Sequence, residues 1–253
     1  MLLWPAAGRG SRVQVSPAAA RCRARRDRSW RSGMAEDREA VDTVETVRIP
    51  PVGLEGTLNR PAHALGMVVF AHGSGSSRLS PRNRHVAAAL NESRLGTLLF
   101  DLLTEEESSD RANVFDIPLL AERLLAAMAW LKARPALGGL PVGLFGASTG
   151  AAAALVAAAR SREVGAVVSR GGRPDLAGPA LEAVRAPTLL IVGSLDGRVL
   201  ELNRAAFARL GCEKALEIVP GAGHLFEEPG TLDAVVALTR RWFMSHLGER
   251  QVQ

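Results

Sequence analysis

Three residue types that together make a hydroxyl nucleophilic occur in the order Ser148, Asp196 and His224, each shortly after a short apolar run. A serine hydroxyl is a poor nucleophile at neutral pH. An imidazole that takes its proton makes it competent, and a carboxylate that fixes the imidazole tautomer and stabilises the imidazolium completes the set. Ser148 lies in Gly146-Ala147-Ser148-Thr149-Gly150, between Val142-Gly143-Leu144-Phe145 and the alanine-rich stretch 151–160. A strand should run into the serine and a helix out of it, so the hydroxyl stands on a sharp turn. Gly146 and Gly150 suit such a turn, because residues two positions either side must be small. The helix beginning at Thr149 aims unpaired amides at whatever the serine attacks. A fourth stretch, His72-Gly73-Ser74-Gly75-Ser76-Ser77, follows the apolar run 67–71 and can bring a further backbone amide to a tetrahedral oxyanion.

The elements that must position these residues alternate strand and helix. Residues 46–49 and 54–58 read as an antiparallel pair around Pro51-Val52-Gly53. Strands follow at 67–71, 97–102, 142–147, 166–169, 189–192 and 216–219, with helices at 81–93, 117–133, 149–160, 176–184, 199–210 and 231–247. Repeated strand-helix units predict a mostly parallel sheet with helices on both faces. In such sheets chemistry collects at the carboxyl ends of the strands, where all four stretches fall. No connection is long enough for a large cap domain. The polar segment 104–116, with its acidic run Glu105-Glu106-Glu107, is expected to be a mobile loop and the one candidate lid.

Composition narrows the function classes. The chain has 253 residues, 47% of them hydrophobic, and a net charge of +5. Eight arginines against one acid, Asp27, fall in residues 1–33, so the positive surplus sits there and the remainder is near neutral. Nucleic-acid binding is therefore not expected of the folded part. Residues 1–40 are expected to be a disordered Arg/Ala-rich tail, either transit-like or upstream of an initiator at Met34. The folded domain is expected over 44–248. No apolar run is long enough to span a bilayer, so a cytoplasmic protein without membrane contact is expected. Cys22 and Cys212 provide neither a disulfide framework nor a metal site, and the five histidines lack metal-ligand spacing. No metal or organic cofactor is expected.

Each candidate has a plainer reading. Ser148 could be a helix cap, Asp196 a turn residue in Asp-Gly, and His224 a loop histidine. The convergence of four stretches on one sheet edge favours the chemical reading, with Asp175 as the reserve acid. His72 is expected to hold the glycine loop rather than react. A dinucleotide fingerprint at 73–78 would lack its third glycine. His85 and His246 fall in helices as surface residues. Arg170 and Arg173, with Arg78 and Arg111 from neighbouring loops, could hold a substrate carboxylate or phosphate, although solvated arginines are the plainer reading.

With these motifs in view, residues 44–247 resemble an α/β-hydrolase of the dienelactone-hydrolase-like group. The resemblance rests on His72-Gly73-Ser74-Gly75, Gly146-x-Ser148-x-Gly150, Leu195-Asp196-Gly197 and Gly221-Ala222-Gly223-His224. The run 70–78 with Ser80-Pro81-Arg82-Asn83-Arg84 is similar to hydrolase domains found alone or fused to phosphoribosyltransferases. The resemblance implies a Ser148-Asp196-His224 triad and an oxyanion hole of the Ser74 and Thr149 amides. It also implies a possible phosphoribosyltransferase partner. Dienelactone hydrolases themselves use a cysteine nucleophile, so activity on dienelactone does not carry over to Ser148. The expected reaction is hydrolysis of a small ester, thioester or lactone, carboxylesterase- or lactonase-like. The alternatives are a low-turnover binding or regulatory module and an amidase or peptidase.

Overall fold

The computed structural model describes residues 41–248. The tail expected over 1–40 lies outside the described residues. Strand β1 (Thr43–Ile49) pairs antiparallel with β2 (Leu54–Arg60), and β2 pairs antiparallel with β4 (Leu95–Phe100). From there the sheet is parallel through β3 (Gly66–Ala71), β5 (Val142–Ala147), β6 (Val164–Arg170), β7 (Thr188–Gly193) and β8 (Lys214–Val219). The order across the eight strands is β1-β2-β4-β3-β5-β6-β7-β8.

The strand sequences explain this layering. β3, β4, β5 and β7 are buried at every position, as continuous apolar runs must be when helices cover both faces. β1, at the edge, alternates between exposed and more buried positions. One face is covered by α1 (Pro81–Glu92) and α7 (Thr231–Leu247), which pack Val86, Leu90, Val235 and Phe243 against Phe70, Phe145 and Val168. The other carries α4 (Ile117–Lys132), α5 (Thr149–Arg160), the 3-10 segment Pro174–Ala183 and α6 (Gly197–Arg209). All of α5 from Thr149 to Ala158 is buried, which is why alanine fills it: larger side chains would hold it off the sheet.

Two expectations are revised. The acidic run is not an unstructured loop but opens α2 (Glu105–Ser109), followed by the single turn α3 (Arg111–Val114). The Thr104 hydroxyl accepts from the Glu107 amide at 3.1 Å, and the Glu107 carboxylate accepts from the Thr104 amide at 3.0 Å. Carboxylates in a first helical turn are favoured by its unpaired amides, so Glu105, Glu106 and Glu107 are start signals. Glu107 is further tied to Arg123 on α4 at 2.6 Å. The helix expected near 176–184 is a 3-10 segment broken at Gly178, whose φ of 54° departs from helical geometry just before Pro179. No helix among the described residues is long and apolar enough to cross a membrane.

Candidate active site

Ser148 joins β5 to α5 with φ 51° and ψ −120°, a backbone state that side chains rarely adopt. Its side chain makes no capping bond, which removes the plain reading of a helix cap. The turn is held from three sides. The Ser148 amide donates to the Arg170 carbonyl at 3.3 Å, and the Ser148 carbonyl accepts from the amides of Ala151 and Arg173. A Cβ on Gly146 would strike the α5 backbone at Ala151, and one on Gly150 would strike the carbonyl of Ala71. Both glycines are therefore required by close approach. A Cβ on Gly73 would lie 2.9 Å from that of Ser148, so the glycine loop passes directly against the serine.

Asp196 and His224 meet by a different route. Leu195 N–H donates to the Ala222 carbonyl and Ser194 N–H to the Val219 carbonyl, both at 2.9 Å, while Gly221 N–H donates to Ser194 Oγ at 2.8 Å. The loops after β7 and β8 are thus laced backbone to backbone. They deliver His224 Nδ1 to Asp196 Oδ2 at 2.6 Å, the short distance of a charge-assisted bond. Asp196 starts α6 without capping it, leaving its carboxylate to the imidazole. The acid side chain is 15% exposed and the imidazole 38%, so the pair has a sheltered end and an open end. Asp175, the reserve acid, is held by Arg173 through two bonds of 2.8 Å.

His72 plays the positioning role expected of it. Nδ1–H donates to the Gly73 carbonyl at 3.0 Å and Nε2 accepts from the Leu102 amide at 3.1 Å, a tautomer assigned from its partners. The ring ties the glycine loop to the end of β4. Burial lowers its pKa, against smaller raising effects from the Gly73 carbonyl and Asp101, so the neutral ring that both bonds need is favoured. The Ser74 amide, expected to face an oxyanion together with that of Thr149, donates instead to the Thr149 hydroxyl at 2.9 Å.

The four arginines separate. Arg78 is engaged by Asp101 at 3.1 Å and Glu55 at 2.8 Å. Arg173 is engaged by Asp175, whose hydrogen bonds raise its pKa. Arg111 lies over the Phe115 ring at 5.6 Å. Arg170 alone of the four is buried, at 7% exposure, and it is approached by Arg82, which sequence reasoning did not single out. The signal was present in the strand alternation: Ala166 and Val168 face α1 and α7, so Arg170 faces the same way, toward the start of α1.

A cavity of about 740 Å³ runs from the glycine loop and Thr149 to Leu102, Leu103 and Val114. Glu105 and Ser108 of α2 and Val114 of α3 wall one side of it. No cluster of three metal-ligating side chains occurs among the described residues.

This fold, with a serine on a strained strand-helix turn and a carboxylate-imidazole pair at the same sheet edge, is that of the α/β-hydrolases. The family model for dienelactone hydrolases matches residues 101–242, and the chain belongs to that family. It is 54% identical to a dienelactone hydrolase from Anabaena variabilis of known structure, with a TM-score of 0.77 over 82% of this chain and 99% of that one. Est1E from Butyrivibrio proteoclasticus shares the fold at 14% identity, with a TM-score of 0.65 over 82% of this chain and 99% of that one. A putative phosphoribosyl transferase of Mycobacterium tuberculosis is 61% identical over 198 residues, 78% of this chain and 45% of that protein. The chain thus spans less than half the length of the curated relatives it matches.

Proposed function

We propose that this hydrolase cleaves a small ester, thioester or lactone through an acyl-enzyme on Ser148. The observation that carries the reading is the 2.6 Å bond between Asp196 and His224 at the sheet edge that presents Ser148. Asp196 holds His224 with Nδ1 protonated, leaving Nε2 free to act as base. His224 takes the Ser148 proton as the oxygen attacks the acyl carbon. The oxyanion is met by the amides of Thr149 and Ser74, the latter released when the Thr149 side chain turns about χ1 and carries its hydroxyl oxygen away. Imidazolium then protonates the departing alkoxide or thiolate; water, deprotonated by His224, attacks the acyl-enzyme, and Ser148 leaves with its proton restored. The cavity beside Gly73 accommodates the remainder of the substrate.

The test is hydrolysis of short p-nitrophenyl esters by the full chain and by Ser148→Ala, with intact mass read after an organophosphonate probe. Turnover and a single adduct, both absent from Ser148→Ala, are the expected result. Absence of both signals from the folded wild-type protein would overturn the reading.

A second reading has one observation in its favour, the 61% identity to part of a putative phosphoribosyl transferase. In it the chain is a low-turnover module that associates with a phosphoribosyltransferase. Stoichiometric adduct formation without multiple turnovers on any ester, together with co-purification with a phosphoribosyltransferase, would favour it.

A further inference from the structure

Ser148 and Asp196 each open a helix, whereas His224 lies midway along the irregular connection 220–230 between β8 and α7. That connection turns sharply. Gly221, Phe226 and Gly230 have φ of 70°, 56° and 77°, and Phe226 lacks the freedom that glycine has there. Its ring holds it in place, buried in the cluster that contains Val168, Val235 and Phe243. On the other side of His224, the Ala222 carbonyl accepts from the Leu195 amide. The base is therefore suspended between two anchors, with Gly223 and the exposed Leu225 as its immediate neighbours.

One side chain braces this span from within. Glu228 Oε1 accepts from the Gly223 amide at 3.0 Å, across the loop. Its other oxygen lies 3.5 Å from the Thr231 hydroxyl in the first turn of α7, and that hydroxyl donates to the Glu228 carbonyl at 2.7 Å. The Thr231 amide donates to the same carbonyl at 3.1 Å. Glu228 is thus tied to α7 by its main chain and to the residue before His224 by its side chain. The approach is close, because a Cβ on Gly223 would lie 2.9 Å from Glu228 Oε1. The adjacent carboxylate provides the contrast: Glu227 is exposed and pairs with Arg82 at 2.9 Å.

We propose that Glu228 is a positioning residue for His224: by holding the Gly223 amide, it fixes the main chain from which the imidazole reaches Asp196 and Ser148 together. This rests on the acyl-enzyme reading, in which His224 is the base. The bond from Nδ1 to Asp196 anchors one corner of the ring and leaves the ring able to swing about it. At 38% exposure the imidazole has little packing around it to stop that swing. The direction of Nε2 is therefore set by the backbone at 223 and 224, where a displacement of about 1 Å costs up to about a hundredfold in rate. No proton passes through Glu228. What it supplies is an acceptor at a fixed reach, which a glutamine amide oxygen reproduces and an alanine or a shorter aspartate does not.

Two readouts separate positioning from folding and from chemistry. The first is the far-downfield proton NMR resonance of an imidazole N–H in a short bond to a carboxylate, assigned to His224 by its loss in His224→Gln. It is expected in the wild type and in Glu228→Gln, and expected to broaden or vanish in Glu228→Ala. The second is hydrolysis of p-nitrophenyl acetate. Because His224 serves acylation and deacylation alike, Glu228→Ala is expected to lower kcat about ten- to hundredfold with KM within about twofold, while Glu228→Gln stays within about threefold of the wild type. Glu228→Asp keeps the charge and withdraws the acceptor; it is expected to behave as alanine does, and it carries the test if Glu228→Ala does not fold. Wild-type kcat and resonance in Glu228→Ala or Glu228→Asp overturn the proposal, as does a glutamine variant as impaired as alanine, which would assign the effect to charge. A resonance that depends on Glu228 in a protein that hydrolyses no ester upholds the positioning and removes the acyl-enzyme reading. Neither resonance nor turnover in the folded wild type overturns both.

Discussion

At the scale of single residues, the amide expected to stabilise an oxyanion is occupied: Ser74 N–H already donates to the Thr149 hydroxyl. A neutral substrate carbonyl would exchange one uncharged acceptor for another and gain little. A tetrahedral oxyanion accepts a bond roughly twice as strong, so the exchange favours the transition state over the bound ester. Thr149→Val keeps the shape and removes the competitor. Its expected effect on neutral esters is a fall in KM of about two- to tenfold, with the gain read in KM rather than kcat. A rise in KM would show instead that the hydroxyl holds the glycine loop in place. Pairings of this kind were out of reach of the sequence, because Ser74 and Thr149 are far apart along the chain and meet only through the packing of β3 against β5. The same holds for Arg78, whose partners Asp101 and Glu55 come from two other strands' ends. The residue types of Ser148, Asp196 and His224, by contrast, were legible, since each follows a short apolar run and the strand ends of a parallel sheet share one edge.

At the scale of elements, the glycine loop depends on a histidine in its neutral form. His72 is neutral in the folded protein, where burial lowers its pKa below the ordinary 6.5. In the unfolded chain it regains that ordinary value, so below about pH 6.5 the unfolded state binds the proton first. Stability from this group is full above that pH and is lost as pH falls toward the lowered folded value. The midpoint of urea unfolding is expected to drop between pH 7.5 and 5, and His72→Gln is expected to flatten that dependence. An unaltered slope in the variant would assign the effect to other groups. Elements built from long apolar runs, such as β3 and β5, and α7 with its period of 3.6, stood out in the sequence. What was missed was α2 with α3, which have few apolar positions to show a period, and the break at Gly178 that turns the helix expected near 176–184 into a 3-10 segment. Those segments are held by a capping box, a salt bridge to Arg123 and a glycine break, each a matter of particular atoms rather than pattern.

At the scale of the whole molecule, Ser74, Ser148, Arg170, Asp196 and His224 stand at the carboxyl ends of β3, β5, β6, β7 and β8, five strands that are consecutive in the sheet. Strands buried on both faces open only when the domain does, whereas a short exposed turn such as α3 opens by itself. His224 follows the edge strand β8, which is buried only at its last position, whereas the candidate groups after the fully buried β3, β5 and β7 have no private mode of disorder. Their amides in β3, β5 and β7 are expected to exchange hydrogen with solvent at the rate of global unfolding, while those of α2 and α3 exchange much faster. Under the acyl-enzyme reading, loss of esterase activity and loss of helical circular dichroism should follow one urea curve. A loss of activity at lower urea would place the weak point in the α2–α3 wall or in the loop after β8. Coincidence would make the turnover of this protein a direct gauge of how much of it is folded.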